Sequence, residues 1–467
     1  MRTVGDILAA TSPTLSRPVR VSGPTVAPWV CRAAIAPRVW IEGAGTALWT
    51  ESNGSVGCYG GWELRYAMPA PPDTELFFDL TADSTNLTRG PDELVVEAYW
   101  YGATGAELDW DPVFLEACVA AEGSTGTNLQ LRFAKRLRCL PGAIHLGIRC
   151  GLRWSSAGRV RWHDWRLQAV APRPARTLRL GIASGRPPHW AGTGANASHY
   201  LDQCKRAGEA GIDLVCLPET ILTWGGPDRD PDALHRNAVP LDGTWLKPFQ
   251  EVARAYRMGI CFSVFERSGA CGEVVYNTAL LLDRDGAIGG SYRKVHLAIG
   301  EVRQGITGGQ DFPVYEFDGV RVGMLICMDS AASEAARILA VRGAEVVLMP
   351  IMGDFRATNW VHGNAGFHRQ RWELAQCAHA FDNHLYLAAA RNENEGSMIA
   401  APWGKTLAYN DGGRDVIWAD VNVDDCRAHW RGSTMQAVLR SMRRPAVYGA
   451  LADPVLHVPR TISGKVH

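Results

Sequence analysis

The chain has 467 residues, 46% of them hydrophobic and 21% charged, with 48 basic and 48 acidic side chains. That length allows two or three domains at roughly 150 residues each, and the composition is that of a folded globular protein. The balanced charge gives no electrostatic footprint for nucleic acid or an anionic membrane.

No stretch approaches the roughly 18 uninterrupted apolar residues of a membrane helix. The amino-terminal MRTVGDILAATSPTLSRP lacks the basic head and apolar core of a signal peptide. The 12 cysteines are scattered, without CxxC pairs or clusters with histidine. Free thiols in a reducing, cytoplasmic setting are therefore expected, and neither a metal nor an organic cofactor is.

From about Pro18 to Leu167 short apolar or alternating runs follow one another: Val19–Val21, Val39–Ile41, Leu76–Leu80, Leu94–Trp100, Leu129–Phe133, Ile144–Ile148 and Val160–Leu167. Gly, Pro, Asp and Ser separate them, which predicts an antiparallel β-sandwich. Its last run, Gly158 to Leu167, resembles the closing strand of jelly-roll domains of the carbohydrate-binding type. Nine of the 17 tryptophans lie in this part. They suit a sugar platform, but packing in the sandwich core or at an interface is the stronger reading, so carbohydrate binding is not expected. Ala171-Pro172-Arg173-Pro174-Ala175 reads as a linker, which places one domain at 1–175 and a second at 176–467.

From Thr177 the pattern becomes α/β. Leu178, Leu180 and Ile182 alternate as a strand, and His199 to Ala210 suits a helix. Leu214 to Leu217 is a buried strand ending in Pro218-Glu219-Thr220. Trp245 to Tyr256 is a second helix and Ile260 to Phe265 a third strand. Thr278 to Leu282 and Ile288 to Tyr292 form a hairpin about Asp285-Gly286 that delivers Lys294. A helix from His368 to Phe381 and strands at Leu385 to Ala390, Thr406 to Tyr409 and Val416 to Val421 complete a mixed sheet covered by helices.

The stretch Val320 to Met349 concentrates the chemistry. An apolar strand ends on Cys327, a helix follows from Glu334 to Val341, and a second strand runs from Val346 to Met349. A thiol at a strand-to-helix junction meets backbone N–H groups and the positive end of a helix dipole, which is expected to lower its pKa. A cysteine is more often core filler than nucleophile. Glu219, Lys294 and Cys327, however, each follow a strand, and the ends of strands at one sheet edge are where such folds build pockets.

A carboxylate, an ammonium and a thiol together suit acyl transfer. Glu219 would act as the base, Cys327 as the nucleophile, and Lys294 with the Met328 N–H would hold the oxyanion. Lysine is scarce in this chain, six residues against 42 arginines, so Lys294 stands out. Asp329 is expected to be a structural hydrogen-bonding residue rather than a catalyst.

Leu217-Pro218-Glu219, Tyr292-Arg293-Lys294-Val295-His296-Leu297 and Gly323-Met324-Leu325-Ile326-Cys327-Met328-Asp329 resemble, in order, the three signature blocks of the nitrilase superfamily of carbon–nitrogen hydrolases. The likeness runs from Thr177 to Leu451, where Arg443-Arg444-Pro445 and Tyr448-Gly449 are similar to a closing motif. It implies an αββα sandwich that dimerises through its helical layer. It also implies a second glutamate that orients the lysine, for which Glu301 is the best placed.

True nitrilases usually carry Trp-Glu after the cysteine, so Cys327-Met328-Asp329 points to linear amides or N-carbamoyl compounds as substrates. A nitrilase, or a passive binding scaffold, remains the alternative. Specificity is expected from the loops Trp224 to Asp230 and Met352 to Trp360.

Overall fold

A computed structural model describes residues 23–67, 74–108, 113–115, 117–119, 128–171, 174–226, 230–353, 366–393, 395–428 and 443–452. The chain forms two compact units, one of residues 1–173 with 430–467 and one of residues 174–429. The described carboxy-terminal segment thus groups with the first unit, although in sequence it closes the second. The Arg444 guanidinium lies 5.2 Å from the Trp154 ring of the first unit, a cation–π contact that no local pattern announces.

The first unit is an all-antiparallel sandwich. One sheet orders Thr25–Val30, Tyr59–Ala67, His145–Arg153, Leu94–Tyr101 and Val113–Phe114; the other orders Arg38–Glu42, Ala47–Glu51, Arg159–Val170, Glu75–Thr85, Leu129–Arg138 and Ala117–Val119. Each strand turns alternate side chains inward, so Trp62, Leu64 and Tyr66 join Phe78, Leu80, Ile148 and Trp162 in one core. Trp62, Trp100 and Trp162 are core residues and Trp165 packs against them. Trp40 and Trp49 instead stack on each other at 5.5 Å, with Trp40 exposed. The runs expected as strands fall within these elements, except that Ile144 precedes its strand by one residue and Val19–Val21 lies outside the described residues, as does Trp110.

In the second unit the alternation of strands and helices resolves into two six-stranded mixed sheets rather than one. The first orders Ile288–Arg293, Val274–Leu282, Gly259–Ser268, Leu214–Cys216, Thr177–Ala183 and Val416–Asn422. The second orders Val314–Phe317, Val320–Met324, Val346–Ile351, Tyr386–Arg391, Glu395–Ala400 and Thr406–Asp411. The strands at the middle of each sheet are parallel and read LVC and VVLMPI, apolar on both faces because both faces are covered.

Helices Thr193–Glu209 and Lys247–Tyr256 pack on the first sheet, and Ser333–Val341 and Arg369–Asn383 lie against each other, the latter on the second sheet. Tyr200, Cys204 and Ala207 of one helix and Phe249, Val252 and Ala253 of another bury their apolar stripes together with Leu217, Ile260 and Phe262. With the two sheets in contact, the layers run αββα. No helix among the described residues is long and apolar enough to cross a membrane.

Candidate active site

Glu219 stands on a turn anchored to the neighbouring strand. Past Cys216 the chain keeps one more ladder bond, Leu217 N–H to Cys261 O at 2.7 Å. Thr220 then takes a left-handed φ of 50°, its N–H donating to Ser263 Oγ at 2.9 Å. The Glu219 carbonyl accepts from Asn392 Nδ2 at 2.8 Å. Both ends of the peptide are therefore fixed, and the buried carboxylate points into the interior.

Lys294 follows the expected hairpin. Its strand Ile288–Arg293 pairs antiparallel with Val274–Leu282 across a turn in which the Asp283 carboxylate accepts from Asp285 N and Ala287 N. Gly286 has a φ of +74°, and a Cβ there would sit 2.4 Å from Gln250 O, so only glycine fits. The Lys294 N–H extends the ladder to Asn277 O at 2.9 Å, and the side chain is 1% exposed.

Cys327 departs from expectation in two ways. The strand stops at Met324, three residues before Cys327, which opens a 3₁₀ turn, Cys327–Ala331; the helix then runs Ser333–Val341, close to the expected span. The Cys327 φ of +44° is a left-handed conformation that costs a non-glycine residue roughly 1–2 kcal/mol. The turn is held by buried Asp329, whose carboxylate accepts from Tyr292 OH (2.6 Å), Ile326 N, His296 N and His296 Nδ1 (each 2.9 Å). Asp329 is thus the structural residue the sequence suggests, and its charge raises the pKa of His296.

The second departure is the thiol pKa, which is raised rather than lowered. Burial and the Glu219 charge push it up, outweighing Lys294 and the backbone hydrogen bonds of Gly353 and Met352. No helix dipole acts at the sulfur, because the intervening 3₁₀ turn puts the first helical residue, Ser333, six residues on, and the Glu219 carboxylate is near.

The four expected side chains meet. Lys294 Nζ lies 2.9 Å from Glu219 Oε1 and 2.7 Å from Glu301 Oε2. Burial opposes the ammonium charge, but Glu219, Cys327 and Glu301 outweigh it and raise the Lys294 pKa. Glu301 sits in the short helix Ile299–Arg303 and also accepts from Ala298 N at 2.7 Å. Glu219, Lys294, Glu301 and Cys327 all line one pocket of about 370 Å³, with Met352, Trp190, Trp224 and Phe265 among its other walls. Met328 follows Cys327 within the turn. Of the loops expected to set specificity, Trp224, Gly225, Gly226 and Met352 line the pocket, while 227–229 and 354–360 lie outside the described residues.

Two asparagines were missed. Buried Asn277 donates through Nδ2 to Glu219 Oε1 (2.9 Å) and Glu301 Oε1 (2.7 Å). Asn392 secures the Glu219 backbone. The signal for Asn277 was available: one amide inside the apolar strand VVYNTALLL is a buried polar group in need of a reason.

The carbon–nitrogen hydrolase family model matches residues 181–431. A probable nitrilase of Schizosaccharomyces pombe is 31% identical over 224 residues, 46% of this chain and 77% of that protein. An omega-amidase of Bos taurus is 30% identical over 245 residues, 49% of this chain and 83% of that protein. A crystal structure of a carbon–nitrogen hydrolase from Helicobacter pylori G27 superposes with a TM-score of 0.51 at 21% identity, covering 60% of this chain and all of that one, and so shares the fold. With the signature residues gathered in one pocket and the family model spanning more than half of the sequence, the chain belongs to the carbon–nitrogen hydrolase family.

Proposed function

We propose that the protein is a thiol amidohydrolase that cleaves the C–N bond of a small linear carboxamide or N-carbamoyl compound through a cysteinyl thioester. The observation that carries this reading is the contact of Lys294 with Glu219 at 2.9 Å in the pocket that Cys327 also lines. Because the thiol pKa is raised, Cys327 rests as a neutral thiol and needs a base at the moment of attack.

Glu219 is placed for that task. Its Oε1 accepts from both Asn277 and Lys294, whereas Oε2 accepts only from Met352 N at 2.9 Å, so a lone pair on Oε2 is left for the thiol proton. Sulfur attacks the carbonyl carbon as Glu219 takes that proton, and the oxyanion is met by the Lys294 ammonium and the Met328 N–H. The C–N bond then breaks, with the proton passing from Glu219 to the leaving nitrogen. Water gives a proton to Glu219 and attacks the thioester; the C–S bond breaks, the acid leaves and the thiol is restored. Glu301 keeps the ammonium oriented throughout.

The reading extends to a homodimer through the helical layer. Leu374 is 71% exposed, Val341 42% and Ile338 37%, on two adjacent helices of that layer. A reducing, cytoplasmic location suits a free-thiol nucleophile, and the eleven cysteines whose side chains are described are free.

The test is ammonia release from a panel of amides, N-carbamoyl amino acids and nitriles, with iodoacetamide labelling mapped by mass spectrometry. Turnover of an amide or carbamoyl compound, lost in Cys327→Ala and blocked by stoichiometric labelling at Cys327, is expected. Ammonia from a nitrile but not from its matching amide would replace this reading with a nitrilase. No turnover, with Cys327 no more reactive than the other thiols, would leave a passive scaffold.

A further inference from the structure

We infer that the substrate is an uncharged amide carrying an aromatic or bulky aliphatic group; this rests on the amidohydrolase reading above and narrows it. Beside the reacting groups and the polar Thr220, Thr223, Asn237 and Gln304, the large side chains lining the pocket are apolar: Trp190, Trp224, Leu234, Phe265 and Met352. They come from separate segments and are fixed before any ligand arrives.

The Trp190 indole lies against Gly226, where an added Cβ would come within 3.3 Å of the ring and 3.0 Å of Thr223 O. Trp224 is held at both ends of its peptide, its N–H donating to Thr220 O at 3.1 Å and its carbonyl accepting from buried Asn196 at 3.0 Å. Leu234 and the adjoining Phe265 belong to a small cluster with Val275 and Ile306 that backs this wall. Preformed aromatic surfaces bind flat or bulky apolar groups without an ordering cost.

Charge points the same way. Among the described lining residues, Lys294 is the one lysine or arginine, and it already serves two carboxylates, Glu219 and Glu301. A substrate bearing its own carboxylate would meet two negative groups and a cation whose charge is committed to them, and would leave its carboxylate poorly paired on burial.

The experiment compares kcat/KM for acetamide, phenylacetamide, N-benzylacetamide and succinamate, the second and third carrying the ring on opposite sides of the scissile bond. One of the ring-bearing amides should exceed acetamide by roughly 10- to 100-fold and succinamate by more. Trp190→Ala should cut the ratio of that amide to acetamide by about tenfold, and Trp190→Phe should restore most of it. Faster turnover of succinamate, or a ratio unmoved by Trp190→Ala, would overturn the inference while leaving the amidohydrolase reading in place. No turnover of any amide, with Cys327 unlabelled by iodoacetamide, would bring down the underlying reading and this inference with it.

Discussion

The side-chain nitrogen of Asn277 donates to Glu219 Oε1 at 2.9 Å, the same oxygen that accepts from the Lys294 ammonium. Its second N–H goes to Glu301 at 2.7 Å. One buried amide therefore sets the spacing of two carboxylates that would otherwise repel across a single cation. Lost hydrogen bonds to charged groups cost about 1.5–3 kcal/mol each. Asn277→Ala should accordingly lower kcat by roughly 10- to 100-fold with KM little changed. The rate of Cys327 alkylation by iodoacetamide should fall in step, because the base that activates the thiol is no longer held. Unchanged kcat and alkylation would reduce Asn277 to a filler.

The pH dependence at the alkaline end follows from Lys294. Burial would lower its pKa, but Glu219, Cys327 and Glu301 raise it above the ordinary 10.5. A cation with a raised pKa keeps its proton until the pH passes that raised value. The ammonium therefore persists through about pH 10, and kcat/KM should show no loss between about pH 8 and pH 10 from its titration. A steep decline there in the wild type, abolished in Lys294→Arg, would contradict this.

Stability should respond to alkali differently. Burial pushes up the thiols of Cys150 and Cys204, whose ordinary value is 9.0. Below about pH 9 both folded and unfolded chains hold these protons. Above it the unfolded chain releases them and the folded chain does not, so stability falls as pH rises, by at most about 1.4 kcal/mol per pH unit for each thiol. Tm should drop on going from about pH 8 to about pH 10, and Cys204→Val should flatten part of that slope.

Legibility in the sequence followed how local the determinant was. The hairpin that carries Lys294 and the apolar strands of both sheets could be read because turn residues and apolar runs are local. Glu219, Lys294 and Cys327 could be singled out because their spacing after strands resembles the family blocks. The division into two sheets was implied by the family resemblance and not by periodicity; the place of residues 443–452 and the bridge made by Asn277 could not be read, since each depends on contacts far apart in sequence. The thiol pKa was misjudged because a dipole was inferred from the succession of elements, while the neighbouring charge of Glu219 comes from a strand 108 residues earlier.

Asp329 shows how closely the nucleophile depends on its support. It is wholly buried and gathers four donors from Tyr292, Ile326 and both the backbone and ring of His296. Asp329→Ala strands the Tyr292 hydroxyl and two backbone N–H groups, a loss of roughly 3–5 kcal/mol, since each unsatisfied buried donor costs about 1–3 kcal/mol and such costs add incompletely. Asp329→Asn retains one acceptor oxygen but turns an NH₂ toward groups that must donate, so about 2 kcal/mol should be lost. Activity should suffer more than stability in Asp329→Asn. The Ile326 N–H bond fixes the peptide just before Cys327, whose left-handed backbone needs surrounding contacts to persist, and a sulfur displaced by about 1 Å forfeits roughly 100-fold in kcat. Urea unfolding alongside kcat for both variants provides the check; an Asp329→Asn protein of reduced stability and full turnover would show that the turn tolerates loss of its carboxylate.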